Sequence, residues 1–244
     1  MAAIGLPGES IPHQNQQPPQ FRERRCYAVD FNFSIIQEYS HYFLTGTLLT
    51  IGLSIISIII GTALGLFLAL GRLSTNKIIS WSCACYIELF RGTPLLVQLL
   101  IIYFGVVPLF LDKSDGIVSA IIALSLNVAA YIAETIRAGI LSIPKGQMEA
   151  ARSLGMTSGK AMRFIIIPQA MRKVLPPLGN SFISLIKDSS LASTIATPEL
   201  MYWANAANAQ YFRVWESFVT AALIYLILTL SISTILKHFE RKLD

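Results

Sequence analysis

The stretch YFLTGTLLTIGLSIISIIIGTALGLFLALG, residues 42–71, contains no charged residue. About 20 apolar residues are enough for a helix to cross the hydrocarbon core of a bilayer, which is roughly 30 Å thick. Because backbone N–H and C=O groups find no water there, this run is predicted to be a membrane-spanning α-helix. Within it, the spacing of Gly61 and Gly65 lets two helix backbones approach closely. Glycine at its ordinary frequency in membrane helices explains the pair equally well.

The composition of the whole chain agrees with a membrane protein. Of the 244 residues, 54% are hydrophobic and 14% are charged, and the mean hydropathy is +0.58, whereas soluble domains carry about 25% charged residues. These values exclude a soluble globular domain and a disordered chain. The net charge of +5 does not indicate nucleic-acid binding, because the basic residues lie between apolar runs rather than in one patch.

Two parts of different composition follow from this pattern. Residues 1–41 form a polar segment, rich in Pro and Gln at its start, that we expect to be extracytoplasmic or interfacial. It lacks the apolar core and the cleavage site of a signal peptide. Residues 42–244 are predicted to form one transmembrane domain.

Four further apolar runs complete an all-α integral membrane bundle of five transmembrane helices. These runs span residues 92–111, 116–133, 174–191 and 217–236. The region 192–213 mixes Thr, Pro, Asn and aromatic residues, which is typical of a short interfacial helix.

The distribution of basic residues predicts the orientation of the chain. With the N-terminus outside and the C-terminus cytoplasmic, 13 of the 19 Lys and Arg residues lie on the inner side. This bias fits the positive-inside rule. Arg22, Arg24 and Arg25 alone favour the opposite orientation.

The loop between spans three and four contains signals for two short helices. A helix beginning near Pro144 is expected to stop at Gly155, where glycine suits a left-handed cap. Thr157 or Ser158 can cap a second helix, and Pro168 is expected to end or kink it. A solvated helical hairpin is the simplest interpretation of this loop.

The spacing within this loop matches a known motif. Glu149-Ala150-Ala151 is followed by Gly155 and, after nine residues, by Ile165 and Ile167-Pro168. This resembles the EAA loop of ATP-binding-cassette (ABC) importer permeases, with Ile167 in place of leucine. Four other segments resemble the branch for polar amino acids such as His, Glu, Gln and Arg; they are Glu88–Gln98, Tyr131–Glu134, Arg137–Ile140 and Lys187–Leu191.

The resemblance implies a multi-pass permease subunit of the cell inner membrane, working by alternating access. It implies a second permease subunit, identical or sister, together with two cytoplasmic ATPase subunits and an extracytoplasmic amino-acid-binding protein. ATP and Mg would then be bound by the ATPase, and no cofactor or metal by this chain. In the family the EAA helix docks on the ATPase, so the resemblance assigns ATPase coupling to a cytoplasmic coupling helix pair; its residues are Glu149, Ala150, Ala151 and Gly155.

Two polar stripes are candidates for a substrate pathway, because polar groups within a span usually face the bundle interior. Asn180, Ser184 and Asp188 recur at helical spacing in span four, and a second stripe follows in span three. The second stripe consists of Asn127, Tyr131 and Glu134. Asp188 is suited to bind an ammonium group, or else it pairs with Lys187 or with a neighbouring span and fixes the bundle.

Other polar and aromatic residues have simpler interpretations. We expect an ion pair between Glu134 and Arg137, and we expect Arg91 and Thr93 to bracket a helix start at Pro94. The aromatic residues near the predicted outer surface are typical of an interfacial belt. They are Tyr202, Trp203, Tyr211, Phe212 and Trp215.

Enzymatic functions are disfavoured, although alternatives to an ABC permease stay open. The segment Gly155–Lys160 departs from a phosphate loop, and Ser184 with Lys187 matches a nucleophile spacing without its companion motifs. Three cysteines and three histidines form no metal or disulfide pattern. The alternatives are an ion-coupled secondary transporter or channel, and a permease for another small polar solute.

Overall fold

The computed structural model describes residues 31–240, excluding the side chains of 239 and 240. Every regular element in this range is helical, which confirms the predicted all-α class. The elements are α1 Phe33–Arg72, α2 Lys77–Gly92, α3 Leu95–Ile101, a π-turn Ile102–Val106, α4 Pro108–Leu111, α5 Gly116–Leu141, α6 Lys145–Ser153, α7 Ser158–Ala161, a π-turn Met162–Ile166, α8 Ile167–Asp188, a 3-10 helix Ser189–Ile195, α9 Leu200–Tyr211, a π-turn Trp215–Val219 and α10 Thr220–Glu240.

Helix α1 is longer than the span predicted from the uncharged run. It has 40 residues, which corresponds to about 60 Å. Asn32 caps its start, since the Asn32 side chain accepts a hydrogen bond from the Ser34 N–H at 3.0 Å. The boundary expected between residues 41 and 42 therefore falls inside α1, because the exposed Glu38 does not interrupt the helix. Residues 1–30 of the polar segment lie outside the described residues.

A stripe of small buried residues runs along α1 and faces α5 and α9. The missing Cβ of Gly65 would lie 2.9 Å from the Ala129 carbonyl oxygen on α5. That of Gly46 would lie 3.0 Å from the backbone of Leu200 on α9. The close-approach interpretation of Gly61 and Gly65 is confirmed. The small-residue stripe comprises Gly46, Thr50, Ser54, Ser57, Gly61, Gly65 and Ala69.

The second predicted span, 92–111, is not one straight helix. Helix α2 and the helical segment Leu95–Leu111 meet at an angle of 106°. Thr93 is extended, with φ −117° and ψ 146°, because the ring of Pro94 disfavours helical backbone in the residue before it. The second span is therefore a broken helix pair whose corner lies at Thr93 and Pro94.

Length and composition support fewer spans than the predicted five. Three helical segments can cross a membrane by themselves, namely Phe33–Arg72, Gly116–Leu141 and Trp215–His238. The bent pair raises this number to four among the described residues. The predicted fourth span lies in α8 and the following 3-10 helix, and α8 is too polar to pass the same test.

Pro168 does not end a separate second loop helix, contrary to one of the two sequence-based expectations. Helix α7 continues through the π-turn Met162–Ile166 into α8, and Pro168 lies in the first turn of α8. The wider π-turn makes room for the proline ring within a continuous helical segment. Thr157 caps this segment, as one of the two predicted caps.

A buried carboxylate joins α9 and α10 to the middle of α1. Glu199 caps α9 by accepting hydrogen bonds from the N–H groups of Met201 at 2.9 Å and Tyr202 at 2.8 Å. The Tyr225 hydroxyl on α10 donates to the same carboxylate at 2.8 Å, and Thr50 on α1 lies 3.4 Å away. Glu199 is fully buried, so these donors replace the water that the carboxylate has lost.

We predict that Gly65→Ala destabilises the chain and that Gly52→Ala does not. Alanine at 65 pushes its Cβ against the Ala129 carbonyl, and overpacking of this kind costs about 1–3 kcal/mol. Nothing lies within 4 Å of the Cβ position at Gly52, and alanine is the better helix former there. Thermal unfolding in detergent measures both variants. Equal melting temperatures for the two would contradict the close contact of α1 with α5.

Candidate functional site

A cavity of about 660 Å³ lies where the α2–α3 corner, α5 and α8 meet. This size is in the range of small-molecule binding sites. Thr93, Pro94 and Leu95 line the cavity at the corner, where the backbone of Thr93 is extended rather than helical. Helices α5 and α8 each contribute one face to the cavity wall. The lining consists of Thr93, Pro94, Leu95, Asn127, Val128, Tyr131, Thr135, Pro177, Asn180, Ser181, Ser184, Leu185, Lys187 and Asp188.

The two polar stripes predicted from the sequence come together at this cavity, with one exception. Five of the six candidate residues line it: Asn127, Tyr131, Asn180, Ser184 and Asp188. Glu134 does not, and Thr135 takes its place. The four-residue step from Asn127 to Tyr131 leads next to Thr135, so a strict helical spacing leads to the residue that lines the cavity.

Glu134 forms the ion pair expected from the sequence. The Arg137 guanidinium donates from Nε to Glu134 Oε2 at 2.9 Å and from Nη2 to Oε1 at 2.6 Å. Such a two-pronged contact fixes both side chains along α5. The carboxylate of Glu134 is therefore already bound within its own helix.

Charges of both signs border the cavity. Lys187 and Asp188 both line it, and among residues 31–240 no ion pair within 4.0 Å links them. The Arg91 guanidinium lies 5.7 Å from the centre of the Tyr131 ring, within the range of a cation–π interaction. A zwitterionic ligand would thus find a carboxylate and two cationic groups nearby.

The corner at Thr93 and Pro94 contributes directly to the cavity in addition to starting α3. Thr93 lines the cavity, although the sequence suggested only a role beside Pro94. Gln98 was not singled out as a site residue, yet its side-chain amide donates to the Thr93 carbonyl at 3.1 Å and hydroxyl at 2.8 Å. Its oxygen accepts from Asn127 at 2.9 Å. The polar glutamine in an apolar run was the available signal.

The loop between α5 and α8 presents a short helix with one outward face. Glu149 and Ala150 on α6 are exposed, whereas Ala151 is buried at 5% exposure. Gly155 adopts φ +83° and ends the helix, in the left-handed conformation that glycine tolerates best. The extent predicted for this helix agrees with α6 to within two residues at its end.

Comparison with known proteins identifies the family. Residues 61–244 match the model of the binding-protein-dependent transport system inner membrane component. The chain belongs to this family. The L-cystine transport system permease protein of Bacillus subtilis is 46% identical to this family member over 200 residues, which cover 82% of this chain and 85% of the relative.

Further relatives and solved structures agree with the assignment. The histidine/lysine/arginine/ornithine transport system permease protein of Escherichia coli is 37% identical, covering 82% of this family member and 88% of the relative. The crystal structure of an amino acid ABC transporter with histidines matches with a TM-score of 0.82 and 42% identity. This match covers 87% of our chain and 99% of the solved chain. The fold of an amino acid ABC transporter is therefore shared along nearly the whole solved chain.

An exposed apolar side chain at the end of α6, that of Leu154, was not identified from the sequence. Leu154 is 85% exposed and lies directly before Gly155. An exposed leucine is unremarkable alone, but this one ends the same helix that carries Glu149 and Ala150. The loop thus exposes the apolar side chain of Leu154 at the end of the helix that also exposes the polar Glu149 and the small Ala150.

The predicted aromatic belt has mixed surroundings in this family member. Trp203 stacks on Tyr42 at 4.5 Å between ring centres, and Tyr211 packs on Tyr39 at 6.1 Å. Phe212 and Trp215 are exposed. The first two rings thus fasten α9 to α1, while the other two leave more than half of their surface uncovered.

We predict that a water-soluble thiol reagent reaches residue 184 but not residue 54. In a background with Cys26, Cys83 and Cys85 replaced by serine, Ser184→Cys exposes a thiol to the cavity, whereas Ser54→Cys is fully buried. A charged methanethiosulfonate should therefore modify the first variant at least tenfold faster. Mass spectrometry of the labelled protein in nanodiscs measures the rates, and equal rates would contradict a hydrated cavity.

Proposed function

We propose that this chain is the permease subunit of an ABC importer for a polar amino acid, and that the cavity is part of its translocation pathway. One observation carries the proposal: a single cavity of about 660 Å³ contains both polar stripes and is bordered by charges of both signs. The stripe residues that line it are Asn127, Tyr131, Asn180, Ser184 and Asp188. An amino acid brings a carboxylate and an ammonium, and both need partners once they leave water.

The relatives narrow the substrate class. Their names describe transport of cystine and of histidine, lysine, arginine and ornithine, all of which are polar amino acids. In this proposal the Asp188 carboxylate binds the substrate ammonium, and Lys187 or Arg91 is available to its carboxylate. Asp188 has no competing ion pair within 4.0 Å among residues 31–240, which supports substrate contact over a purely structural role.

The loop around α6 is proposed to couple the cavity to ATP hydrolysis. Glu149, Ala150 and Gly155 form an exposed surface with Leu154, and Ala151 anchors the helix from the buried side. Two cytoplasmic ATPase subunits, which bind ATP and Mg, would dock here. Because α7 runs without interruption into α8, movement of the loop is transmitted directly to a helix that lines the cavity.

The membrane arrangement follows from the same proposal. The bent pair and α8 complete five spans with α1, α5 and α10, the N-terminus lies outside, and α6 with the C-terminus is cytoplasmic. A second permease subunit, identical or sister, would cover the polar α8 within the bilayer. An extracytoplasmic binding protein would deliver the amino acid. We place residues 1–41 at the outer side, and the transmembrane domain in 42–244.

Asp188→Asn is predicted to lower uptake at least tenfold while leaving the complex assembled. The loss of a charge-assisted hydrogen bond to an ammonium corresponds to about 1.5–3 kcal/mol. Uptake of labelled L-histidine, L-arginine, L-glutamine and L-cystine into proteoliposomes containing ATP, ATPase and binding protein measures the effect. Ser181→Ala, in the same cavity, serves as the control. Uptake driven by an ion gradient without ATP would instead support a secondary transporter.

Gly155→Asp is predicted to uncouple uptake from ATP hydrolysis. Gly155 has positive φ, while Gly159 on α7 does not, and neither has a neighbour within 4 Å of its Cβ position. Gly159→Asp is thus a control of equal charge. We expect the first variant to insert and to hydrolyse ATP but to lose at least nine tenths of its uptake per ATP. Normal uptake by Gly155→Asp would count against the coupling role.

A further inference from the structure

The corner in the second span ends α2 at Gly92, so the carbonyls of its last turn, among them that of Phe90, have no partner within the helix. In an uninterrupted helix the carbonyl of Phe90 would accept from the N–H of residue 94. Residue 94 is proline, which has no N–H. An unpaired carbonyl at membrane depth costs several kcal/mol, so another donor must replace the missing one.

Gln98 provides that donor from one turn further along the chain. Its Nε2 lies 2.9 Å from the Phe90 carbonyl oxygen, 3.1 Å from the Thr93 carbonyl and 2.8 Å from the Thr93 hydroxyl. Backbone carbonyl oxygens can only accept. The amide of Gln98, which is 7% exposed, must therefore turn its nitrogen toward the corner and its oxygen away from it.

The orientation of Gln98 determines that of Asn127. The Gln98 oxygen accepts from Asn127 Nδ2 at 2.9 Å, and the same nitrogen lies 3.3 Å from the Phe90 carbonyl. Asn127 must therefore direct its nitrogen toward Gln98. Its oxygen remains, and no residue within 31–240 donates to it. This oxygen is not a buried unpaired atom, and Asn127 lines the cavity.

We propose that Gln98 is a positioning residue that holds the Asn127 amide with its oxygen available to the cavity, so that this wall accepts the α-ammonium of the substrate. The inference rests on the proposed function, since it assumes that the cavity binds an amino acid. An ammonium carries three N–H donors, so it can use the Asn127 oxygen together with the Asp188 carboxylate. A ligand that presents only acceptors at this wall is rejected.

The orientation of the Asn127 amide depends ultimately on Pro94. Proline forces the Phe90 carbonyl to seek a donor, the carbonyl fixes Gln98, and Gln98 fixes Asn127. Without Gln98, the Asn127 amide loses its shorter hydrogen bond and keeps only the 3.3 Å contact with the Phe90 carbonyl, so its oxygen is held less firmly toward the cavity. Selectivity for an amine is then reduced even though Asn127 is still present.

The test compares an amino acid with its analogue in which hydrogen replaces the α-amino group. The protein is the complete complex with its ATPase subunits in nanodiscs, without the binding protein. L-Histidine, L-arginine, L-glutamine and L-cystine serve as probes, and the tightest binder is compared with its analogue by calorimetry. We expect wild type to prefer the amine at least tenfold, and Gln98→Met to reduce this ratio at least threefold, because the Asp188 carboxylate still binds the ammonium.

Two further variants separate positioning from general stability. Gln169→Met removes another glutamine that donates to a helix carbonyl, that of Ile165 at 2.9 Å, but lies outside the cavity lining; it should retain the wild-type ratio. Asn127→Ala should lower the preference at least as far as Gln98→Met does, and it tests the proposal where Gln98→Met fails to fold.

Three results would overturn the inference. Equal weakening of the amino acid and its analogue by Gln98→Met indicates a merely structural role, and so does an unchanged ratio in Asn127→Ala. Absence of binding of all four probes to wild type contradicts the proposed function, and the inference with it. Binding to wild type with no preference for the amine contradicts the inference and the ammonium-binding role of Asp188, but not the transport of a polar amino acid.

Discussion

Backbone-to-backbone contact between α1 and α5 is the interaction on which the rest of the architecture depends. Small residues on α1 let the helix axes approach until Gly61 and Gly65 face the carbonyl oxygens of Ser125 and Ala129. That contact fixes the rotation of α5 about its own axis. Asn127 and Tyr131, on another face of the same helix, are then directed to the cavity. A larger side chain in the stripe would displace the cavity wall as well as the contact.

A second constraint comes from the solvent that surrounds these helices. In hydrocarbon, a bend in the backbone must be compensated by hydrogen bonds from the protein. The corner at Thr93 and Pro94 meets this requirement with Gln98 and Asn127. Asn127, one of these two residues, also lines the cavity, so one irregularity is connected both to a broken span and to a polar wall.

Much of this molecule could be predicted from its sequence, because hydropathy and motif spacing are local signals. The all-helical class, α6 with its Gly155 cap, the Glu134–Arg137 pair and five of the cavity residues followed from such patterns. The corner angle, the extension of α1 to Phe33 and the continuity of α7 with α8 did not, since they depend on packing and on how π-turns absorb proline. Glu199 and Gln98 were missed because their partners are distant along the chain or on another helix.

The exposed Leu154 has a consequence for the biogenesis of the subunit. A leucine side chain that is 85% exposed can contribute up to about 2 kcal/mol when a partner covers it. In the proposed assembly the ATPase covers this side chain, and before docking it stays exposed at the tip of the loop. Synthesis together with the ATPase would then protect the proposed permease from self-association.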